Sequence, residues 1–315
     1  MPIMWTDTGS NYLANPTLSE EFRTALQPSA RFRQFCDIEV AIGKHRGQTF
    51  QWNVYGDTLV EGGVLQEHLP MPTTKFAIGQ GSVTIQEWGI GIEISSKVQA
   101  LSEHDIRKIV FQTLRNNASR ALDRGAHEQF DNTLLRYVAT SGTAYNLDDD
   151  GTPTGNNNSE LTPTHVKKIT DLMQERNIPV YDGENYVCVL RPSTMAAVRD
   201  GIESLNSYTS EGWMRIMAGE VGKYSGVRFL TQTNVAAETN WTTNAKSNAA
   251  YFFGADTVTE AVACPEELRA DIGSGYGREQ GIAWFALLAF GITHADATSA
   301  ETKKQARIIK WDTVA

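Results

Sequence analysis

Residues 102–138, SEHDIRKIVFQTLRNNASRALDRGAHEQFDNTLLRYV, carry the longest periodic signal in the chain. Ile106, Ile109, Val110, Leu114, Ala118, Ala121, Leu122, Ala126, Phe130, Leu134 and Val138 recur at three-to-four spacing, which places them on one face of a helix. Ser102 is a good N-cap, and Glu103 and Asp105 fall where the helix dipole favours acids. No proline interrupts the run, and Gly125 is its only weak interior position. The spacing predicts one helix of about 37 residues and about 55 Å, far beyond the usual three or four turns. Alanines and a glycine thin the middle of the stripe, so no heptad seam is sustained, and the helix is expected to lie along a sheet instead of in a coiled coil.

On the N-terminal side the pattern turns to strands. Phe50, Trp52 and Val54 alternate, as do Val83 and Ile85 and then Ile90, Ile92 and Ile94. Between these two limbs lie Gly62-Gly63 and Pro70-Met71-Pro72, backbone breakers that predict a long hairpin-like excursion with an irregular tip. An isolated two-stranded ribbon is marginal in water, so this one should lie against something else. Residues 1 to about 30 are polar and turn-rich, with Asn15-Pro16 and Pro28 among short apolar clusters, and read as an arm.

On the C-terminal side, residues 146–159 are a polar loop. A helix over 164–177, a strand over 186–190, a helix from Ser193 and strands over 227–230 give a second, α/β unit, and the class as a whole is α+β. Residues 250–253, 283–293 and 307–311 read as strands that return to close the first body.

Composition narrows the function. The chain has 315 residues, 41% hydrophobic and 21% charged, enough for a large core. Its longest apolar run, residues 282–290, is too short for a spanning helix, and its N-terminus lacks the basic start and apolar block of an export signal. No membrane partner is expected, and the protein should stay where it is made. Cys36, Cys188 and Cys264 are too dispersed for a metal or redox pair and odd in number, which predicts reduced, mostly buried thiols. A formal net charge of −9 disfavours sequence-specific nucleic-acid binding.

Motifs for chemistry are incomplete. In residues 217–224 a phosphate-cradling loop would need glycine at Met217 and Ser or Thr at Tyr224. Residues 273–278 lack the last glycine of a dinucleotide fingerprint. Asn146, Asp148, Asp150 and Gly151 open like a calcium loop, but Asn157 occupies the place of the bidentate glutamate, so a solvated acidic turn is expected at 148–150. His45, His68, His104, His127, His165 and His294 show neither zinc nor triad spacing. No catalytic residue, metal or cofactor is therefore assigned.

Several short segments in fixed order carry a resemblance. They are Leu59-Val60-Glu61-Gly62, Glu87-Trp88-Gly89 leading to Ser95, Gly219-Glu220-Val221-Gly222 followed by Gly226-Val227-Arg228-Phe229 and Thr233-Asn234, and Tyr251-Phe252-Phe253-Gly254. Together with the element order they resemble the tailed-phage major coat fold named after the Hong Kong ninety-seven phage, and within it the coat family typified by the N-four phage. The resemblance implies an N-terminal arm and entry to the peripheral domain (1–45), an extended loop (46–95), a peripheral domain with the spine helix (96–150), an axial domain (151–250) and peripheral return strands (251–315). It implies a shell subunit that meets copies of itself in hexamers and pentamers around double-stranded DNA. A portal, a possible decoration protein and a separate scaffold are expected, the last because no charged helical prefix precedes the fold. Trp52, Tyr55, Leu69, Pro70 and Phe76 are the candidate contacts, because aromatic groups on a ribbon need a partner to cover them. Gly62-Gly63 and Gly89-Ile90-Gly91 are candidate hinges.

Three other readings compete, one of them a tail or portal component, which would form rings and not closed shells. An encapsulin-like compartment shares the fold but stores enzymes. A cytosolic enzyme using carboxylates such as Glu220 and Asp271 between the two α/β regions would instead form a small closed oligomer with a pocket of shifted carboxylates.

Overall fold

A computed structural model describes residues 30–40, 47–58, 62–65, 67, 70–102, 105–155, 157, 159–206, 222–234, 248–271, 276, 278–295 and 305–312. The spine is real but shorter than its periodicity predicts. A short helix α1, Ser96–Leu101, is capped by the Ser95 hydroxyl accepting from Val98 N. Ser102 ends that helix, donating its N–H to Val98 O, instead of starting the next. Asp105 is the true N-cap of α2, Ile106–Asp131, where its carboxylate accepts from Arg107 N at 3.1 Å and Lys108 N at 3.4 Å. At 26 residues α2 spans about 39 Å.

Leu134 and Val138, read as the last turns of the helix, lie outside it. Residues Leu135–Ala139 form strand β5, and the Thr133 hydroxyl at the break donates to Ile308 O at 2.8 Å. The β-branched and aromatic content of this segment fits a pleated sheet, and pairing on both sides decides the matter over the apparent helical period.

Two larger sheets flank α2. The first has the order β1-β11-β12-β4, built from Asp37–Val40, Val258–Asp271, Glu279–Ile292 and Gln86–Ser95. The β11–β12 pair is a long antiparallel hairpin with two register shifts around Cys264. The second runs β6-β5-β13-β10-β7-β9-β8, with β6 Tyr145–Asp148, β7 Tyr186–Leu190, β8 Lys223–Tyr224, β9 Val227–Thr231, β10 Ala250–Phe253 and β13 Ile308–Trp311. Helices α3, Pro163–Glu175, and α4, Pro192–Asn206, cover its far face.

This topology divides the return strands between the two sheets: β12, with its unforeseen partner β11, joins β1 and β4 in the four-stranded sheet. β10 and β13 lie in the middle of the seven-stranded sheet, antiparallel to each other, with β10 also beside β7. Their residues are buried throughout, as a strand covered on both faces requires. Alternate residues divide between two cores: Val187, Val189, Tyr251, Phe253 and Ile308 join the spine core, while Cys188, Leu190, Phe252, Ile309 and Trp311 face α3 and α4. The spine helix is thus packed in one core with both sheets.

Within that core, Gly125 brings the helix against the first sheet. A β-carbon there would stand 2.8 Å from the Trp88 ring and 3.1 Å from that of Phe290. Buried carboxylates tie in the entering chain. Asp123 accepts from Phe32 N at 2.7 Å, Arg33 N at 3.1 Å and Asn234 Nδ2 at 2.9 Å. Glu260, fully buried on β11, pairs with Arg33, which also holds Glu266. Burial works against the Arg33 charge, but the two carboxylates outweigh it and hold its pKa above the ordinary arginine value.

Candidate assembly surfaces

The excursion before the spine is a two-stranded ribbon, β2 Thr49–Thr58 antiparallel to β3 Phe76–Thr84. The second predicted limb divides at Ile85: β3 stays with the ribbon, and Ile90, Ile92 and Ile94 belong to β4, paired with Trp284, Ile282 and Gln280 of β12. Gly89 and Gly91, expected as a hinge, sit in that ladder opposite Phe285 and Ala283, and a β-carbon at Gly89 would meet Trp284 O at 2.6 Å. Close packing accounts for glycine at Gly89, whereas a β-carbon at Gly91 would meet Ala283 only at an ordinary 3.4 Å.

Register sorts the ribbon into two faces. Phe50, Trp52 and Val54 share one with Val83, Gly81 and Gly79. Trp52 anchors the ribbon base to its own chain: its indole N–H donates to Thr293 O at 3.0 Å, and its ring packs where Gly291 leaves room. The opposite face is polar near the base, where Gln80 Nε2 donates to Gln51 Oε1 at 3.2 Å beside Asn53 and Ser82. Towards the tip it becomes apolar. Tyr55 is 68% exposed, Ile78 directly across from it 60%, and Phe76, its ring 6.4 Å from that of Tyr55, 57%. Val64, Leu65 and Met71 of the tip are also exposed, as is Pro70; Leu69 lies outside the described residues.

Tyr55 and Phe76 thus come together, and Trp52 faces inward. Ile78 is a third exposed apolar group there, since its two-residue spacing from Phe76 puts it on the same face. Of the residues that carried the resemblance, Glu61, Gly219 and Glu220 lie outside the described residues, and Gly62 and Gly222 are exposed. Gly226, at φ +73°, turns β8 into β9, on which Arg228 reaches Asp182 at 3.8 Å. Gly254 is enforced by contact: a β-carbon would collide with Pro179 O and lie 2.8 Å from Ile178 Cγ2.

Sequences covering this architecture match one family model, described as phage capsid protein, over residues 80–300. This chain belongs to the phage capsid protein family. The match runs from the ribbon's second strand through the spine and into the segment after β12. The fold is also that of solved capsids. The cyanophage P-SCSP1u capsid structure is similar at a TM-score of 0.68 and 15% identity, covering 97% of this chain and 94% of the other. The capsid of Ralstonia phage GP4 gives 0.65 and 15%, covering 100% and 98%, and the cyanophage Pam1 capsid 0.69 and 13%, covering 100% of both. No curated protein matches the chain in sequence.

Among the described residues, several groups with potential for chemistry hold local structure. Asp148 accepts from Thr154 N at 2.7 Å and from the Thr154 hydroxyl, and Asp150 accepts from Thr152 N at 2.8 Å, so these carboxylates pin their own turn. Glu220 lies outside the described residues, and Asp271 ends β11 at the far end of the hairpin. His165 Nδ1 meets the Tyr137 hydroxyl at 2.9 Å inside the second core. The Cys188 thiol is fully buried, which pushes its pKa well up. Cys36 is buried and Cys264 half-buried.

His127 sits at the joint between spine and central sheet. The Tyr251 hydroxyl donates to Asp131 Oδ1 at 2.7 Å, so its oxygen accepts from His127 Nε2 at 2.8 Å. Burial drives the His127 pKa down to about 4, with Lys310 and Arg124 adding to the effect and Asp131 opposing it. Burial likewise opposes the Asp131 charge, but Lys310, at 2.7 Å, and Tyr251 hold its carboxyl below the usual range. An unfolded histidine takes its proton near pH 6.5 and the folded one only near 4, so folding stability is lost as pH falls through this window. The histidine contribution is on the order of 3 kcal/mol. In His127→Gln the urea midpoint should vary less between pH 6.5 and 4 than in the parent; an unchanged slope would remove this histidine from the account.

Proposed function

We propose that this chain is the major capsid protein of a tailed bacteriophage, assembling in the host cytoplasm as hexamers and pentamers of an icosahedral shell and ending in the virion around double-stranded DNA. Family membership carries the reading. The ribbon supports it, because it ends in an apolar patch that is exposed among the described residues. In this reading the spine and the four-stranded sheet form the peripheral domain, and α3, α4 and β7 to β9 form the axial domain. Residues 1–45 are an arm and the entry to that peripheral domain, whose sheet β1 joins. The ribbon lies over an adjacent subunit through Tyr55, Phe76 and Ile78, with Pro70 and Leu69 at its tip. The segments around Gly219-Glu220 and Gly226-Val227-Arg228-Phe229 support a place near the coats typified by the N-four phage. A separate scaffold, a portal and a decoration protein are the expected partners, and the protein's role is structural, with no catalytic step.

Covering three half-exposed apolar side chains contributes about 1–2 kcal/mol each. One such contact is millimolar, weak enough to be corrected, and many per subunit close a shell. Tyr55→Ser combined with Phe76→Ser should leave subunit stability within about 1 kcal/mol of the parent, since both groups are exposed, while shells disappear from sedimentation and negative-stain microscopy. Parental particle yield from that variant rules out the ribbon contact. Closed particles that hold protein cargo and no DNA would instead favour the encapsulin-like reading.

A further inference from the structure

The chain carries a net charge of −9, yet the exposed surface of its spine helix has the opposite sign. Arg107, Lys108, Arg115, Arg120 and Arg124 fall within 18 residues and all are exposed. The one acid in that span, Asp123, points inward, where it is 1% exposed and already accepts three hydrogen bonds. Arg107 is held by Gln280 at 2.8 Å, but among the described residues Lys108, Arg115, Arg120 and Arg124 form no ion pair. The acids across the groove, Glu266 and Glu267, are taken by Arg33 and Arg269. Lys108, Gln112, Asn116, Arg120 and Arg124 recur every four residues and so form one ridge of the helix, with Arg115 and Ser119 on the ridge beside it.

We propose that this face of the spine helix is a contact surface for the sugar–phosphate backbone of double-stranded DNA, an inference that rests on the capsid reading above. Cations flanking neutral amides and a hydroxyl are the residue types that hold phosphates without reading bases. Phe111 and Leu268 are exposed beside Lys108 and Arg115, but four cations without an ion-pair partner among the described residues make a polyanion the occupant that fits the face. Lys108 to Arg124 spans about 24 Å, a length of duplex carrying about 14 phosphates, of which four cations neutralise only a minority. The contact is therefore weak, unspecific and reversible, which reconciles it with a wall from which DNA must later leave.

The test uses the full-length, unassembled subunit and a fluorescent, short, random-sequence duplex, titrated by anisotropy between about 50 and 200 mM salt. Four phosphate contacts predict a log–log slope of about −3.6, a roughly hundredfold loss of affinity over that range. Lys108→Gln with Arg115→Gln, and separately Arg120→Gln with Arg124→Gln, should each reduce the slope by about 1.8. Circular dichroism confirms that these surface variants keep the fold. The proposal falls if the parent does not bind, if both double variants keep the parental slope, or if labelled polyglutamate binds this face and the duplex does not, which would mark an acidic protein as the partner. Shell formation, scored separately by microscopy, reports on the capsid reading alone: shells with an unaltered salt slope sink this inference and leave that reading standing.

Discussion

Leu114→Asp is expected to yield no shells and little soluble subunit. Leu114 is 1% exposed and lies midway along the buried stripe of the spine, between Val110 and Ala118, in the core shared with both sheets. Losing the leucine costs about 2–5 kcal/mol, and a carboxylate without a partner in its place adds a further desolvation penalty. A total above about 5 kcal/mol equals much or all of the stability of an ordinary domain. Leu114→Met, which conserves volume, should cost less than about 1.5 kcal/mol and assemble. Soluble yield and particle counts for the pair decide the matter; parental particle yield from the aspartate variant would overturn the placement of this residue.

Asp123→Ala should be nearly as damaging for a different reason. The substitution removes little apolar area, but it strands Phe32 N, Arg33 N and one of the two bonds of Asn234 Nδ2, whose other partner is Arg120 O at 3.1 Å. Buried donors left unmade cost about 1–3 kcal/mol each, and a combined loss of about 3–5 kcal/mol is expected. Because those donors belong to the chain entering at Phe32, the variant should lose thermal stability and expose Arg31 and Arg33 to trypsin sooner than the parent. An unchanged melting temperature with unchanged cleavage would mean that the carboxylate does not secure this junction.

The two residues mark where sequence reading succeeds and where it stops. Leu114 was legible because a stripe at three-to-four spacing has one physical solution, a helix with one face covered. Asp123 was not, because nothing in the sequence separates an acid on the solvent side of a helix from one folded inward over backbone donors 90 residues away. The ribbon divides the same way. Alternation at Trp52 and breakers at Gly62-Gly63 implied an extended excursion, but whether an indole faces a neighbour or its own chain depends on Thr293, 241 residues on. Net charge is silent on one point, since −9 averages over the whole chain and does not show that the exposed surface of one helix is rich in cations.

Local chemistry alone determined that this protein has a long helix, an extended ribbon before it and an α/β unit after it, since period, capping and turn residues act over a few neighbours. The tertiary structure decided where the spine stops, that β10 and β13 join the central sheet, and which faces of the ribbon and spine remain open. Those outcomes depend on pairing between strands far apart in sequence, such as Ile309 with Leu135 and Trp284 with Ile90, and the free energy of such a pairing exists only when both partners are in place.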